Sequence, residues 1–253
     1  MNEDVLGYRV FSGGKSASVS RMMDAIRHDG RIWAACVNPH SYVVACDCKE
    51  FSRALKSADL LVPDGIGIVL ASRFCGGDIR ERVTGFDLFT GLHDALALRG
   101  GGRVFFLGST PEVLAEIAVR MQRDWPSLEV VGTYSPPFAT QFSDAENMAM
   151  TAAVNAARAD VLWVGMTAPK QEQWLHAQWP QLEVRVAGAI GAVFDFYAGR
   201  IKRSHPLFQR LGLEWLPRLL QEPRRLWRRT FVSTPRFLWD VWRFGIRKRQ
   251  PPP

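Results

Sequence analysis

The sequence predicts a doubly wound α/β domain with a mainly parallel sheet, followed by a basic helical C-terminal appendage. Three observations support this fold class: short continuous apolar runs, turns that carry helix-capping residues, and a change of character after Gly199. With 253 residues, of which 47% are hydrophobic, the chain is long enough for one large α/β domain with its own core. We predict that residues 1–199 form this domain and residues 200–253 the appendage.

Six apolar runs are predicted to be strands. Each is about four to six residues long and rich in Val, Leu, Ile or Phe, the composition typical of strands buried on both faces of a parallel sheet. The predicted strands are Ile32–Val37, Asp59–Val62, Arg103–Leu107, Leu128–Gly132, Val161–Val164 and Glu183–Val186.

The segments between these strands are predicted to be helices because of the residues at which they begin. Asn38-Pro39, Thr110-Pro111 and Thr167–Pro169 each place a capping residue and a proline at the expected start of a helix. A further helix is predicted from Thr84 to Leu98. A strand, a short turn and a helix that starts near a proline recur along the chain, which indicates a βαβ series and a Rossmann-like sheet.

Charge is distributed unevenly along the chain. Residues 200–253 contain 14 Lys and Arg but 3 Asp and Glu, a net charge of +11, whereas residues 1–199 have a net charge of −4. The tail also contains Trp at 215, 227, 239 and 242, and its apolar residues between 231 and 246 recur at helical spacing. This split predicts that the tail contacts an anionic surface, either a membrane or a nucleic acid.

The sequence also indicates a cellular setting. The segment MNEDVLGYRV has no apolar run of a secretory signal, and no stretch of about 18 consecutive apolar residues occurs. Four cysteines in a chain of this length fit a reducing compartment. We therefore expect a cytoplasmic protein that is peripheral on the inner face of the cell membrane, where basic residues and Trp both suit the interface.

The candidate site lies in the turns that follow the predicted strands, because open α/β sheets bind ligands beyond the carboxyl ends of their strands. Asp64 follows one strand directly, and it is either a general base for a sugar hydroxyl or the N-cap of a tight turn. Backbone N–H groups of small residues in these turns can approach a phosphate at helix N-termini. The residues concerned are Gly65, Gly67, Gly108, Ser109 and Thr110.

Two further side chains have two interpretations each. Arg82, just before a predicted helix, is either a bidentate clamp for a diphosphate or a surface ion-pair partner of Glu81 or Asp87. Gln171 either hydrogen-bonds a sugar or uracil edge or lies in a solvated first helical turn, together with Lys170 and Glu172.

The sequence gives no support for a metal or an organic cofactor. It contains no Asp-x-Asp pair, no Gly-x-Gly-x-x-Gly and no Walker-type loop. Cys36, His40, Cys46 and Cys48 are close in sequence, but Cys46 and Cys48, two apart on one predicted helix, would point to different faces. We expect neither a metal nor a cofactor.

Together these stretches resemble the WecG/TagA/CpsF proteins, glycosyltransferase family 26. The matching motifs follow the family's order and spacing from about Ile32 to Arg229. They are Asn38-Pro39-His40, Pro63–Gly67, Glu81–Gly85, Leu107–Ser109, Gly165-Met166, Pro169–Glu172, Gly188–Asp195, Gly212–Leu216 and Glu222–Arg225. One departure is Cys36, where some members carry Thr, since a thiol donates hydrogen bonds poorly.

The resemblance implies an inverting, metal-independent transferase that moves a sugar from a UDP-sugar to a polyprenyl-diphosphate-linked saccharide in bacterial cell-surface polysaccharide synthesis. It implies that Asp64 is the catalytic base, with Arg82 and Gln171 beside it in the active site. It implies substrate contacts by Asn38, Lys170 and Glu172, and contacts to the lipid diphosphate by tail arginines, namely Arg218, Arg225 and Arg228.

Two other function classes stay open at this point. A basic, Trp-rich tail is also typical of nucleic-acid-binding proteins, in which arginines contact phosphates and aromatic rings stack on bases. A scaffold that binds a nucleotide-sugar without catalysis would have the same fold. We expect the transferase, with no nucleic-acid partner, and the sequence leaves open whether it is a homo-oligomer.

Overall fold

The computed structural model describes residues 1–201 and 228–249 as a mixed α/β structure. The strands are β1 (Asn2–Val5), β2 (Tyr8–Phe11), β3 (Ile32–Val37), β4 (Leu60–Pro63), β5 (Gly102–Gly108), β6 (Leu128–Tyr134), β7 (Val161–Gly165) and β8 (Val186–Ala189). The helices are α1 (Gly14–Arg27), α2 (Pro39–Asp47), α3 (Lys49–Ser57), α4 (Ile66–Phe74), α5 (Gly85–Arg99), α6 (Pro111–Asp124), α7 (Asp144–Ala156), α8 (Lys170–Gln178), α9 (Val193–Tyr197) and α10 (Thr234–Arg249). A 3₁₀ turn (Trp179–Gln181) follows α8, and a π-helical turn (Arg228–Ser233) precedes α10.

Six strands form one parallel sheet in the order β4-β3-β8-β7-β5-β6. The strand order is not the chain order, because the chain leaves β4, crosses to β5 and β6, and returns through β7 and β8. This arrangement confirms the predicted α/β fold with a mainly parallel, Rossmann-like sheet. Because all six strands run in the same direction, their carboxyl ends lie along one edge, and the turns after them share that edge.

Helices cover both faces of this sheet. Alternate residues of β3 belong to two different core clusters, with Trp33 in one and Ile32 in the other. The first cluster is completed by α2, α3, α4, α7, α8 and α10, and the second by α1, α5, α6 and α9. A strand buried on both faces needs apolar residues at successive positions, which explains the continuous apolar runs in the sequence.

The predicted strands agree with the observed ones except for the last. The run Ile32–Val37 is confirmed at both ends, but the run Glu183–Val186 is wrong, since β8 begins only at Val186. The strand consists of small residues, and a Cβ on Gly188 would collide with the ring of Trp163 on the neighbouring strand. Small residues carry little β-strand signal, so the pattern of bulky apolar residues misplaced this strand.

A two-stranded hairpin at the N-terminus was not predicted. Strands β1 and β2 pair antiparallel through a tight turn at Leu6 and Gly7, whose φ angles are 54° and 82°. Tyr8 and Val10 are buried in the first core cluster, and β2 contacts β4. The hairpin therefore extends the core beside the edge strand of the main sheet.

Most helices begin as their capping residues predict. The side chains of Asn38, Thr84 and Thr110 accept hydrogen bonds from the first turns of α2, α5 and α6. Thr167 is an exception, because Pro169 occupies the N-cap position of α8 and no side chain caps this helix. The expected shared helix of Cys46 and Cys48 is also wrong, since Cys48 lies at the junction between α2 and α3.

Helix α10 packs against α2 and α4. Phe237 is buried, with its ring edge-on to Tyr42 at a centroid distance of 5.6 Å, and Val241 lies in the same core cluster. Arg236 donates to both carboxylate oxygens of Asp47 at 2.9 and 2.8 Å. The division at residue 199 stays a prediction, but α10 shares a core with the α/β domain. No helix among the described residues is long and apolar enough to cross a membrane.

Candidate active site

Asp64 and Asn38 lie side by side at the carboxyl ends of β4 and β3. The backbone N–H of Asp64 donates to the carbonyl oxygen of Val37 at 2.8 Å, which extends the strand pairing to the site. The N-cap of α4 is Gly65, with no side-chain cap, so the interpretation of Asp64 as a helix N-cap is wrong. The half-buried Asp64 carboxyl is thus placed at the strand edge by the backbone, whereas Asn38 Oδ1 caps α2 by accepting from two backbone N–H groups at 3.0 Å.

Gly65 and Gly67 allow α4 to approach the start of α2 closely. Gly65 has φ 122°, a conformation that favours glycine, and a Cβ at Gly67 would lie 2.5 Å from Cγ of Pro39. Both glycines therefore have a packing role next to Asp64. Their predicted contact with substrate phosphate remains a prediction, and it concerns the backbone N–H groups at the start of α4.

Arg82 lies on a segment whose backbone is fixed on both sides. Before it, the Glu81 carboxylate accepts from the backbone N–H of Lys15 at 2.9 Å. After it, the backbone N–H of Val83 donates to the carbonyl oxygen of Pro63 at 3.0 Å, one residue before Asp64. The segment that carries the Arg82 guanidinium therefore runs beside the end of β4. The other ion-pair candidate, Asp87, lies 3.7 Å from Lys15 Nζ and caps α5 with Thr84.

Gln171 joins the turns after β7 and β8. Its Oε1 atom accepts from the backbone N–H groups of Met166 at 3.2 Å and Gly191 at 2.9 Å, and its Nε2 atom donates to Oε1 of Glu172 at 2.9 Å. Gln171 is 4% exposed and Glu172 is 3% exposed, so the interpretation of these residues as a solvated helical turn is wrong. Both ends of the Gln171 amide are occupied by the protein itself, which fixes its orientation.

Carboxyl groups on three elements act on the thiol of Cys36, near the end of β3. Burial raises the pKa of Cys36 well above its ordinary value, and the charges of Asp64, Glu172 and Asp87 raise it further. The thiol is therefore uncharged at neutral pH. Burial also raises the pKa of Glu172 to about 7, against an ordinary value of 4.5, although its hydrogen bond from Gln171 acts in the opposite direction. Glu172 is therefore partly protonated near neutral pH.

The turn after β5 brings backbone N–H groups to the same edge. Gly108 has φ 120°, and a Cβ there would lie 2.5 Å from the carbonyl oxygen of Gly165, so only glycine fits. Ser109 has φ 57°, a left-handed conformation that is strained for a residue with a side chain. Thr110 then caps the 14-residue helix α6, whose positive end faces this edge. This geometry suits an anion, as the sequence predicts for Gly108, Ser109 and Thr110.

Lys170 holds the segment between β6 and α7 against the start of α8. Its Nζ atom donates to the carbonyl oxygen of Ala139 at 2.7 Å and lies 4.7 Å from the ring centre of Phe142. The same segment contacts the turn after β5, where Ser135 Oγ donates to the carbonyl oxygen of Ser109 at 2.8 Å. Lys170 therefore orders a segment beside the predicted phosphate site, and its direct contact with substrate stays a prediction.

The C-terminal segment approaches the same edge of the sheet. Ser233 Oγ lies 2.9 Å from Nδ1 of His40, two residues after Asn38. Arg218 and Arg225 lie outside the described residues, as does the side chain of Arg228, whose backbone opens the π-helical turn. Within residues 1–201 and 228–249, no three His, Cys, Asp or Glu side chains group as metal ligands would.

Sequence reasoning missed two features of this site. It left open whether Gln171 and Glu172 lie in a solvated helical turn, whereas tertiary packing buries both, and no periodic signal in a nine-residue helix reveals this. It also treated Asp87 only as an ion-pair partner of Arg82. The Thr84-x-x-Asp87 spacing is a capping-box signature and was the available signal for its structural role.

The sequence matches the model of the glycosyl transferase WecG/TagA/CpsF family over residues 3–251. It is 36% identical over 204 residues, or 81% of this chain and 76% of the relative, to the N-acetylglucosaminyldiphosphoundecaprenol N-acetyl-beta-D-mannosaminyltransferase of Bacillus spizizenii. The protein of the same name from Bacillus subtilis strain 168 is 27% identical over 205 residues, which cover 81% of this chain and 77% of the relative. The chain therefore belongs to the WecG/TagA/CpsF family and is a glycosyltransferase.

Proposed function

We propose that this glycosyltransferase moves a sugar from a UDP-sugar to a saccharide on polyprenyl diphosphate, with inversion and without a metal, in bacterial cell-surface polysaccharide synthesis. The observation that carries the proposal is the position of Asp64, a half-buried carboxyl at the strand edge between Asn38 and the fixed segment of Arg82. The names of both Bacillus relatives support it, since each names a diphosphoundecaprenol-linked N-acetylglucosamine as acceptor and N-acetylmannosamine as the transferred sugar.

The proposed reaction is a single displacement. Asp64 takes the proton from the acceptor hydroxyl while that oxygen attacks the anomeric carbon of the donor, and the bond from this carbon to the UDP oxygen breaks. The relatives' names specify a β-linked product, and an α-linked UDP-sugar gives such a product through one inversion. One base is then sufficient, and no covalent sugar–enzyme intermediate forms.

The leaving diphosphate gains negative charge, which requires positive groups near it. The chain supplies Arg82 and the N-terminal end of α6 at Ser109 and Thr110, both at the edge that carries Asp64. We include Arg218, Arg225 and Arg228 as contacts to the lipid diphosphate. In this proposal the protein itself neutralises the charge of the leaving diphosphate, so that no metal is required.

An exposed apolar surface beside the site supports a location on the membrane. Helix α4 begins two residues after Asp64 and exposes Ile66, Leu70 and Phe74 at successive turns. Helix α10 packs next to it and exposes its own apolar stripe, formed by Leu238, Trp239, Trp242 and Ile246. We call these residues the α4–α10 apolar surface. It would bring the carboxyl of Asp64 close to an acceptor anchored in the inner leaflet of the cytoplasmic membrane.

Vesicle binding tests this location. Leu70→Glu and Trp242→Glu should each reduce binding to anionic phospholipid vesicles severalfold, because a charge replaces apolar contact with the acyl chains. Leu98→Glu is the matched control, since Leu98 is 91% exposed at the far end of α5, on the opposite edge of the sheet. Equal loss in all three variants, or none in any, would contradict the proposed surface. Binding to single-stranded RNA in place of vesicles would favour the nucleic-acid alternative.

The transfer reaction itself is tested with polyprenyl-diphosphate-linked N-acetylglucosamine and a panel of UDP-sugars, with and without EDTA. We expect product from one donor, with UDP-N-acetylmannosamine first in the panel, and equal rates in the presence of EDTA. A requirement for added metal would contradict the proposed chemistry. Failure of every donor with this acceptor, in a folded and vesicle-bound protein, would contradict the proposed substrates.

A further inference from the structure

Glu172 is a buried carboxyl that has no step of its own in the proposed displacement, and the substrate contact that the resemblance implies for it stays a prediction. One of its oxygens, Oε1, accepts a hydrogen bond from Gln171 Nε2 at 2.9 Å. The other, Oε2, is inaccessible to solvent and has no hydrogen-bond partner among residues 1–201 and 228–249. An ionised carboxylate is strongly disfavoured when an oxygen is buried without a donor, whereas the protonated acid carries no charge there.

Burial is what raises the pKa of Glu172, and the hydrogen bonds to its carboxyl from Gln171 and the backbone act in the opposite direction. Asp64 from the end of β4 and Asp87 from α5 are negative, and both act on the Cys36 thiol, as Glu172 does. Of the nearby basic groups on α8, Lys170 donates to Ala139, and His176 lies 2.7 Å from Ser57 of α3. Strand β8, which also packs on α8, has no titratable side chain. Among the described residues, neither basic side chain of α8 is paired with Glu172, and burial raises the pKa of Glu172 to about 7.

We propose that Glu172 is a positioning residue that works in its protonated form, holding the Gln171 amide in one orientation and keeping a second negative charge away from the anionic donor. Gln171 in turn ties the turns after β7 and β8 through Met166 and Gly191. The effect of a charge on Glu172 on donor binding depends on the proposed UDP-sugar donor. The role of the hydrogen bonds rests on the geometry of Gln171 and Glu172 alone.

The proposal gives a specific dependence on pH. Glu172 is neutral below about pH 7 and ionised above it. Ionisation of Glu172 adds a negative charge to the site, which repels the donor diphosphate and raises the donor KM, while kcat changes less. About half of the molecules keep the proton at pH 7 and about one in ten at pH 8, so kcat/KM for the donor should fall about tenfold per pH unit beyond that point.

The first test is the pH profile of donor kcat and KM from pH 6 to 9 for wild type, Glu172→Gln and Glu172→Asp. Gln imitates the neutral acid, so kcat/KM of this variant should exceed wild type about twofold at pH 7 and about tenfold at pH 8. Asp is one methylene shorter, loses the contact with Gln171 and should be impaired at every pH. If the donor KM of Glu172→Gln rose at alkaline pH as the wild-type value does, the proposal would be overturned. A large loss of activity in Glu172→Gln at pH 6 would also overturn it.

The second test needs no substrate. The folded protein keeps a proton on Glu172 that the unfolded chain releases above about 4.5, so wild-type stability should fall, relative to Glu172→Gln, as pH rises from about 4.5 to 7. The measurement is the thermal midpoint of both proteins from pH 5 to 9. A difference that does not change with pH would contradict a protonated Glu172. Absence of transfer by wild type would count against the proposed function and leave this result unaffected.

Discussion

The carboxyl-terminal end of the sheet has two regions, one after β3 and β4 and the other after β7 and β8. The two regions differ in how their carboxyl groups are buried and hydrogen-bonded. At the ends of β3 and β4, Asp64 is half-buried and placed by backbone hydrogen bonds. At the ends of β7 and β8, Glu172 is buried and hydrogen-bonded to Gln171, whose amide oxygen and nitrogen both have partners in the protein. A carboxyl that is accessible can exchange a proton with a substrate, whereas a buried carboxyl can fix the orientation of the side chain to which it is hydrogen-bonded. The proposed base thus lies on the more exposed side, and the residues proposed to position the turns lie on the buried side.

Among the residues after β7 and β8, Gln171→Ala is expected to have the largest effect on stability and on transfer. The change leaves the backbone N–H groups of Met166 and Gly191 and the Glu172 carboxyl without their partner, so unfolding free energy should fall by about 2–4 kcal/mol. Transfer should fall about 100-fold or more as the two turns separate. Urea unfolding and steady-state kinetics measure both quantities.

The matched control is Gln173→Ala. This half-buried residue on the same helix contacts Cys48 Sγ at 3.4 Å, away from both turns. It should lose less than about 1 kcal/mol and keep most of its activity. If Gln171→Ala were no worse than Gln173→Ala, the organising role of the Gln171 amide would be refuted.

Asn38 lies in the region of Asp64, the proposed base, but it also caps α2. Substitutions at Asn38 can therefore separate a structural role from a role in substrate binding. Asn38→Ala should lose about 1 kcal/mol of unfolding free energy, while Asn38→Asp keeps an acceptor for the same N–H groups and should lose less. If Asn38 also contacts substrate, as the family resemblance implies, donor or acceptor KM rises in both variants. Normal kinetics in a stable Asn38→Asp would limit Asn38 to capping.

The smallest effect is expected from Lys170→Met. The change removes the hydrogen bond to Ala139 and the contact with the Phe142 ring, together about 1 kcal/mol. The segment between β6 and α7 should become more mobile, which would raise donor KM about threefold to fivefold with little change in kcat. Hydrogen exchange of residues 135–142 and donor KM measure the two effects. Unchanged exchange with impaired kinetics would instead favour direct contact between Lys170 and the donor.

The sequence predicted the parts of this site that depend on local patterns. Bulky apolar runs located five strands, capping residues located the starts of α2, α5 and α6, and Asp64 followed from its position directly after a strand. Strand β8 was misplaced because it contains Gly188, where the ring of Trp163 on the next strand leaves no room for a side chain. Burial of Gln171 and Glu172 is likewise a property of packing between distant segments. Local spacing therefore located Asp64, the proposed base, and missed the burial of Gln171 and Glu172.

One measurement tests most directly whether Asp64 acts as the base and Glu172 as a positioning residue. It is single-turnover transfer by Asp64→Asn and Glu172→Gln, side by side with wild type at pH 7. Each variant replaces a carboxyl by an amide of nearly the same shape, so only proton and charge chemistry changes. The account predicts that Asp64→Asn loses about 100- to 10,000-fold, the usual contribution of a general base, while Glu172→Gln transfers at least as fast as wild type. Equal losses in both variants, or substantial transfer by Asp64→Asn, would contradict it.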